Sequence, residues 1–333
     1  MKSLSASVVF LLGTFGDRAA ADTYPRQPGI DAVHYSFRLS LSDQSDVIEG
    51  EASLDVRFRE DGVTALGLDL VEVRDGKGMS VNAAEWNGAP AVYAHQGDRL
   101  TVNLPSPSKT GERGRLAVRY RGVPASGLRI GPNRHGERTF FSDNWPNRAR
   151  HWLPTIDHPS DKATSELIVT APSHYQVISN GVLVEETDLP SAMRRTHWRQ
   201  SVPIATWLFV LGAARFAVDH YDRVGGTPLQ TWVYPQDREN GFRDLSYPTR
   251  QALEFFSESI GPYAYEKLAN VQSASVGGGM EAATAIFYGE DWVRGLRSPR
   301  LRDIVVHEIA HQWWGNAVTE ADWNDVWLSE GFA

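Results

Sequence analysis

The chain has 333 residues, a formal net charge of −8 at pH 7, no cysteine and 41 % hydrophobic residues. This is the composition of a globular protein, and the length allows two domains. The acidic balance argues against a nucleic-acid partner. The lack of cysteine excludes disulfides and thiolate ligands, so His, Asp or Glu must hold any metal.

Residues 1–21 have the character of a secretory signal peptide. Lys2 provides a short positive start, residues 4–15 are mostly apolar, and Ala19-Ala20-Ala21 offers a cleavage site before Asp22. The apolar run is too short and too interrupted to span a bilayer. We therefore expect an exported protein, periplasmic or secreted, without a membrane span. A disordered or buried N-terminus is the alternative.

Residues 22–217 are predicted to form an N-terminal domain built of strands. Apolar and polar residues alternate with period two in segments such as residues 34–41 and 52–58. Turn dipeptides such as Asn87-Gly88 and Asn180-Gly181 separate these segments. Short alternating strands joined by such turns are typical of an antiparallel β-sandwich.

One segment of this domain, residues 141–164, is aromatic, polar and interrupted by prolines. One interpretation is a surface loop that Arg150 and Asp157 hold in place. His151 and His158 also lie in this segment, but their spacing does not favour a metal site.

Residues 218–333 mix helix and strand and are predicted to form a second domain. Residues 247–260 show the periodicity of an amphipathic helix, and Gly261-Pro262 ends it. An alternating segment, residues 271–276, leads into the glycine stretch 277–279. The glycines are either a flexible turn or a backbone segment that approaches a bound ligand closely.

The strongest helix signal surrounds the sequence H-E-x-x-H at residues 307–311. Ser298-Pro299 supplies an N-cap and a proline at the first helical position. His307 and His311 lie one turn apart on one face, so the two imidazoles can hold one zinc ion. Glu308 lies beside them and can act as a general base. In the alternative interpretation, the helix is buried and its histidines only form hydrogen bonds.

A third ligand is available in Glu330, since eighteen residues separate it from His311. Thr319 and Asp322 predict the start of a further helix that carries Glu330. Two histidines and one carboxylate leave the fourth zinc position open, as in catalytic rather than structural sites. We therefore predict one zinc ion bound by His307, His311 and Glu330.

These motifs, H-E-I-A-H-Q-W-W-G-N and W-N-D-V-W-L-S-E-G-F-A, resemble those of the gluzincin metallopeptidases of the aminopeptidase N family. The sequence G-G-G-M-E-A at residues 277–282 is similar to the G-x-M-E-N exopeptidase motif of that family. The resemblance runs from Tyr35 to Ala333. It implies a thermolysin-like α+β catalytic domain after the β-sandwich, and a zinc-dependent aminopeptidase in which Glu308 is the catalytic residue.

The resemblance also implies how a peptide with a free N-terminus binds. Gly278, Gly279 and Met280 line its first peptide group, and Glu281 pairs with its α-ammonium group. Ala282 replaces the usual asparagine, which leaves the hydrogen bonding around Glu281 open. A further residue, Asp143, falls where many members carry a glutamine that contacts the substrate's amino terminus.

In the family, the catalytic domain continues beyond the third ligand to a tyrosine that donates to the oxyanion. Tyr288 precedes the motif and cannot be assigned that role. We therefore expect a catalytic domain incomplete at its C-terminus, and weak or no activity for the chain as given.

Three alternatives to the aminopeptidase remain open. A thermolysin-like endopeptidase shares the zinc ligands but does not need the G-x-M-E sequence. A branch of the family hydrolyses epoxides. The third is a non-catalytic secreted β-domain with a vestigial zinc site. The sequence predicts neither an oligomeric state nor a side-chain preference.

Overall fold

The computed structural model describes residues 22–333, so the predicted signal peptide, residues 1–21, lies outside the described residues. The first part of the chain consists of strands joined by turns. These strands are β1 (Ile30–Ser40), β2 (Ile48–Phe58), β3 (Ala65–Asp69), β4 (Gly78–Trp86), β5 (Ala89–Pro90), β6 (Tyr93–Gln96), β7 (Arg99–Asn103), β8 (Arg113–Val123), β9 (Leu128–Pro132), β10 (Arg138–Ser142), β11 (Lys162–Pro172), β12 (Gln176–Ser179), β13 (Val182–Leu189), β14 (Met193–Ala205) and β15 (Leu211–Ala214).

The strands form three sheets. The largest has the order β13-β14-β11-β1-β2-β8-β4-β5, and the smaller ones have the orders β12-β15-β10-β9 and β3-β7-β6. The predicted β-rich N-terminal domain is confirmed. One detail differs from an antiparallel sandwich, because β1 pairs with β11 in parallel. A parallel pair needs a long connection, and the nine strands β2 to β10 lie between β1 and β11 in the chain.

Alternation along the strands decides which side chains are buried. In β8, Leu116, Val118 and Tyr120 are buried, whereas Arg115 and Arg119 point to solvent. Burying one such apolar side chain contributes about 1.5–3 kcal/mol, so the period of two determines which face packs inward. The predicted alternation of apolar and polar residues therefore determines which side chains form this core.

The second part of the chain combines a mixed sheet with helices. Its elements are β16 (Ala217–Val224), β17 (Thr227–Val233), α1 (Arg238–Ser259), β18 (Leu268–Ser273), β19 (Gly279–Met280), β20 (Ala285–Gly289), α2 (Pro299–Ala310) and α3 (Trp327–Glu330). The sheet has the order β16-β17-β18-β20-β19, in which β18 pairs in parallel with both β17 and β20. Single 3₁₀ turns occur at Ala149–His151, Thr206–Leu208, Pro235–Asp237, Glu290–Trp292 and Trp323–Asp325. This confirms the predicted α+β character.

The first helix begins earlier than the sequence predicts. We expected it to begin at Tyr247, where the amphipathic periodicity starts. Instead α1 runs through Pro248, since its preceding turns are stabilised by packing. Leu245 is fully buried there, and Gly241 has no Cβ, which lets the helix approach the Val233 side chain closely.

Apolar packing is continuous across the predicted domain boundary. Phe141 of β10 and Phe287 of β20 meet edge to face, with ring centroids 5.5 Å apart. The boundary between residues 217 and 218 therefore stays a prediction. From residue 22 onward, no helix is both long and apolar enough to cross a membrane.

Candidate active site

Helix α2 positions the two histidines. The Ser298 side chain accepts a hydrogen bond from the Leu301 N–H, so the predicted N-cap is confirmed. Leu301, Val305 and Ile309 are buried on the face that packs into the second apolar cluster. His307 and His311 project from the helix toward a cleft.

The three predicted metal ligands converge. Nε2 of His307 lies 3.1 Å from Nε2 of His311, and Glu330 Oε2 lies 3.6 Å from each of them. Ligand atoms that surround zinc tetrahedrally, at about 2.0–2.1 Å, are about 3.3–3.4 Å from one another. The observed separations bracket that value, so these residues fit a single zinc ion with one position left open.

The orientation of His311 is determined by its other ring nitrogen. Nδ1 lies 3.1 Å from the Trp314 carbonyl oxygen and 3.0 Å from Ser329 Oγ. A carbonyl only accepts hydrogen bonds, so Nδ1 carries a proton and Nε2 is the nitrogen that can bind a metal. His311 is buried, whereas His307 is partly exposed.

The chain reaches Glu330 by a route that differs from the prediction. Thr319 does not cap a helix, because its hydroxyl donates to the Asn316 carbonyl. Asp322 is the capping residue, and its carboxylate accepts from the Asn324 N–H. A 3₁₀ turn and then the short helix α3 replace the single helix that we predicted.

Contacts with the N-terminal domain hold this segment in place. Lys162 donates to the carbonyls of Asn316 and Ala317, at 3.0 Å in each case. Arg26 forms an ion pair with Asp322 at 2.9 Å. The position of Glu330 beside the histidines therefore depends on residues more than a hundred positions away.

Glu308 lies at the side of the ligand cluster. It is 5 % exposed, and its Oε2 has no hydrogen-bond partner among the described residues. Burial, and next the charge of Glu281, raise the pKa of Glu308 to about 8. A bound divalent cation would oppose this shift, so the carboxylate would ionise more readily beside a metal.

The site as a whole attracts positive charge. Burial lowers the pKa of His311, but the contact with Glu330 and the charges of Glu281 and Glu308 outweigh burial and raise it to about 9. The two imidazoles, His307 first, hold the pKa of the Glu330 carboxyl well below its usual range. Carboxylates around two imidazoles are the surroundings that a cation requires.

The glycine stretch forms one wall of the cleft. Gly277 and Gly278 have open space where a side chain would stand, whereas a Cβ at Gly279 would lie 2.1 Å from Glu308 Oε1. Gly279 and Met280 form β19, which pairs antiparallel with β20, and the Gly278 carbonyl accepts from the Gly289 N–H at 2.8 Å. The stretch is therefore an ordered strand edge rather than a flexible turn.

Glu281 follows this strand and faces the same cleft. It is only 6 % exposed, and burial raises its pKa. No described residue forms a hydrogen bond with its carboxylate, although two side chains bind its backbone carbonyl. A buried acid that faces a cavity without a partner favours a cationic ligand.

The cleft has a volume of about 340 Å³. It brings together every site residue that the sequence predicts and several that it does not. Its lining residues are Asp143, Trp145, Arg148, Ser275, Val276, Gly277, Gly278, Gly279, Met280, Glu281, His307, Glu308, His311 and Glu330.

Asp143 lines the cleft, but its carboxylate is not free. It forms an ion pair with Arg148 at 2.7 Å, and burial raises its pKa. A role in binding the substrate's amino terminus stays a prediction, as do the roles of the other lining residues. Sequence reasoning missed Arg148 and Trp145, although both lie in the aromatic segment that had been singled out.

Two family models match the chain. A model of the Peptidase M1 N-terminal domain matches residues 31–208, and one of the Peptidase family M1 domain matches residues 247–333. Among individual relatives, glutamyl aminopeptidase of Homo sapiens is 31 % identical over 58 % of this chain and 21 % of its own length. Glutamyl aminopeptidase of Bitis rhinoceros is 24 % identical over 93 % of this chain and 34 % of its own length.

Solved structures are similar as well. The M1 zinc metallopeptidase from Deinococcus radiodurans superimposes with a TM-score of 0.78 at 29 % identity, over 91 % of this chain and 68 % of the other. A mutant of that protein bound to a Tyr-Ser-Ala substrate gives a TM-score of 0.76 at 28 % identity, over 91 % of this chain and 69 % of the other. The chain spans about a third of the length of the curated relatives that it matches over most of its residues.

Proposed function

Because this chain belongs to the M1 family of peptidases, we propose that it is a zinc-dependent aminopeptidase or the zinc-binding part of one. The reaction is hydrolysis of the first peptide bond of a peptide with a free N-terminus. The observation that carries the proposal is one cleft that holds both a three-residue metal cluster and an unpartnered buried carboxylate.

One zinc ion is held by His307, His311 and Glu330. Their donor atoms, two imidazole nitrogens and one carboxylate oxygen, have the spacing and chemistry that catalytic zinc takes. When bound, zinc supplies a Lewis acid for the scissile carbonyl and makes water more acidic. The second ring nitrogen of His311 is already bonded, which supports binding through Nε2.

Glu308 moves the proton. It accepts one from the attacking water and passes it to the nitrogen of the departing amine. Its place in the cleft beside the metal ligands supports this role, because a general base must lie within hydrogen-bond reach of the proton that it takes up. Its position against Gly279 places it between the metal ligands and the strand edge that lines the cleft.

Glu281 recognises the substrate's α-ammonium group. The carboxylate lies at the end of β19, so a peptide along this strand edge would present its amino terminus there. A charge-assisted contact of this kind contributes about 1.5–3 kcal/mol. Because the anchor and the metal share one cleft, cleavage is limited to the first residue.

Export completes the proposal. Residues 1–21 act as a signal peptide, so the enzyme would act in the periplasm or outside the cell on peptides that it meets there. The N-terminal sequence pattern alone supports this part of the proposal.

The test compares zinc content, ligand binding and hydrolysis. We expect elemental analysis to find one zinc per chain in the parent and none in the His307→Ala, His311→Ala double variant. The control is His174→Ala, at a partly exposed histidine of the N-terminal domain, and it should keep the zinc. Zinc-loaded protein should bind L-leucine hydroxamate more tightly than its N-acetyl form, and any cleavage of leucyl-arylamides should need a free amine.

Other outcomes identify the alternatives. Cleavage of peptides with a blocked N-terminus would support the endopeptidase instead. Zinc binding with neither turnover nor a preference for the free amine would support a non-catalytic β-domain. Zinc that survives the double histidine change would overturn the metal site.

A further inference from the structure

Two side-chain amides hold the backbone of Glu281. Its carbonyl oxygen accepts from Gln312 Nε2 at 2.9 Å and from Asn316 Nδ2 at 2.7 Å. Both residues lie in the turns after α2, two and six residues beyond its last residue, and both are almost completely buried. Gln312 is the immediate neighbour of His311, and the Asn316 N–H donates to the His311 carbonyl. The amides therefore connect the backbone of the predicted amine anchor with the end of the metal-binding helix.

The carboxamide of Gln312 bridges the turn that follows Glu281. While Nε2 donates to Glu281, Oε1 accepts from the Thr284 N–H at 3.2 Å. Thr284 has a φ of +69°, a left-handed conformation that costs a residue with a Cβ about 1–2 kcal/mol. Contacts around the turn must offset that cost, and Gln312 provides the one that spans it from end to end.

The N-terminal domain holds the opposite side of the turn. Asn180 Nδ2 donates to the Ala283 carbonyl at 2.7 Å, and Thr284 Oγ1 accepts from the Gly181 N–H at 2.7 Å. Nζ of the buried Lys267 donates to the same Oγ1 at 3.1 Å. With one side of the turn held by Asn180, Gly181 and Lys267, the amides of Gln312 and Asn316 determine its distance from the metal helix.

We propose that Gln312 and Asn316 are positioning residues, which place the Glu281 carboxylate at the distance from the metal ligands that selects a free amino terminus. The inference rests on the proposed function, because it concerns the same cleft. Ala282, which stands where the family usually has an asparagine, has no polar side chain that could hold the neighbouring Glu281. Amides from the metal helix hold that neighbour through its backbone carbonyl instead.

The two amides affect the position of the Glu281 carboxylate rather than the strength with which it binds an ammonium group. Neither amide touches the carboxylate of Glu281, so neither contributes directly to the contact with an ammonium group. Displacing a recognition group by about 1 Å can nevertheless cost about 10²-fold in rate, because the reacting bond no longer meets the catalytic groups. Loosening the turn should therefore reduce discrimination between a free and an acetylated amino terminus while leaving the metal in place.

The test uses Gln312→Met, which keeps the length of the side chain but removes its hydrogen bonds with Glu281 and Thr284. The variant also loses two longer contacts, a donation to the Glu308 carbonyl at 3.5 Å and one from the Tyr263 hydroxyl at 3.4 Å. The matched control is Gln200→Met, because Gln200 is equally buried but lies in β14 of the N-terminal domain. The probes on the zinc-loaded chain are L-leucine hydroxamate, its N-acetyl form and acetohydroxamate, which reports the metal alone. Zinc content is measured on every variant.

We expect the parent and Gln200→Met to prefer the free-amine hydroxamate by about 10- to 100-fold, as a charge-assisted contact predicts. In Gln312→Met, this preference should fall at least tenfold, with zinc content and acetohydroxamate affinity unchanged. An unchanged preference, or equal losses for all three probes, would overturn the positioning role. A parent without any preference would instead contradict the proposed function.

A second variant covers the case in which Gln312→Met does not fold. Asn316→Ala removes the other donor, and it costs less buried polarity because Asn316 Oδ1 has no partner among the described residues. The same criteria apply to it. Where both single variants fold, the double variant should lose more of the preference than either, because the two amides share one acceptor.

Discussion

The Nδ1 atom of His311 lies 3.1 Å from the carbonyl oxygen of Trp314, three residues further along the chain. This contact keeps a proton on Nδ1, so Nε2 is the nitrogen that gives up its proton when a metal binds. Ser329 approaches the same Nδ1 at 3.0 Å, so the residue beside the third ligand also touches the second ligand. The metal cluster is therefore supported by contacts behind it as well as by the ligands themselves.

Removing the Ser329 hydroxyl should weaken zinc binding without unfolding the protein. Changing the support behind a metal-binding histidine typically costs about 10–100-fold in affinity. We expect Ser329→Ala to lose zinc affinity by an amount near the lower end of this range, because the Trp314 carbonyl still holds His311. Competition with a zinc chelator measures the effect, with Ser42→Ala, at a partly exposed serine far from the cleft in sequence, as a control. Equal affinities in the parent and Ser329→Ala would show that the carbonyl alone is sufficient.

Gly315→Ala should disturb the same support more strongly. Gly315 has a φ of +100°, and a Cβ there would lie 2.2 Å from Ser329 Oγ. We expect a loss of roughly 1–3 kcal/mol in the free energy of unfolding, together with weaker zinc binding. Gly62→Ala is the control, because Gly62 has a φ of +84° and no neighbour within 4 Å. It should lose stability only, whereas unchanged zinc affinity in Gly315→Ala would contradict the proposed contact.

Glu308→Gln should separate metal binding from catalysis. Glutamine has almost the same shape but cannot accept the proton from water, so zinc content should stay at that of the parent. Any hydrolysis that the parent shows should fall by about 10²–10⁴-fold. Elemental analysis and steady-state rates on leucyl-arylamide provide the two measurements. Similar rates in parent and variant would assign the general base to another residue.

Glu281→Gln should change specificity more than overall binding. The amide keeps the shape of the carboxylate but loses the charge that attracts an ammonium group. We expect affinity for L-leucine hydroxamate to fall by about 10–100-fold, and affinity for its N-acetyl form to stay within about threefold. Calorimetric titration of both probes provides the comparison. Equal losses for the two would make Glu281 a structural residue and would favour an endopeptidase.

A pH-dependent contribution to stability is expected from Asp161. Burial raises the pKa of Asp161 to about 6, against an ordinary value of 3.8. The hydrogen bond that its carboxylate accepts from the Ala32 N–H lowers the pKa in part. The folded state therefore binds the proton more tightly than the unfolded state. The resulting stabilisation is complete at pH values below the unfolded pKa and is lost as the pH rises through the folded one.

Asp161→Asn should remove this dependence. Relative to the parent, the free energy of unfolding of the variant should rise between pH 4 and pH 7, by up to about 2–3 kcal/mol. Urea unfolding at several pH values measures the difference. The exposed Asp75→Asn is the control and should follow the parent. A constant difference between Asp161→Asn and the parent across this range would refute the effect.

Much of this protein could be predicted from local sequence. The spacing of His307 and His311 places them on one helix face, because an α-helix has 3.6 residues per turn. Ser298 forms the predicted cap, and the alternation along β8 predicts its buried face. These features depend on residues a few positions apart, whose geometry the backbone determines directly.

Tertiary structure decided what local patterns could not. The path to Glu330 depends on Arg26 and Lys162, which lie far away in sequence. The same is true of the ion pair that occupies Asp143 and of the amides that hold Glu281. No periodicity encodes such contacts, since they form only once the sheets and α2 have packed. The residue types and spacing thus predicted the metal ligands, whereas the folded chain determined where the Glu281 carboxylate lies relative to them.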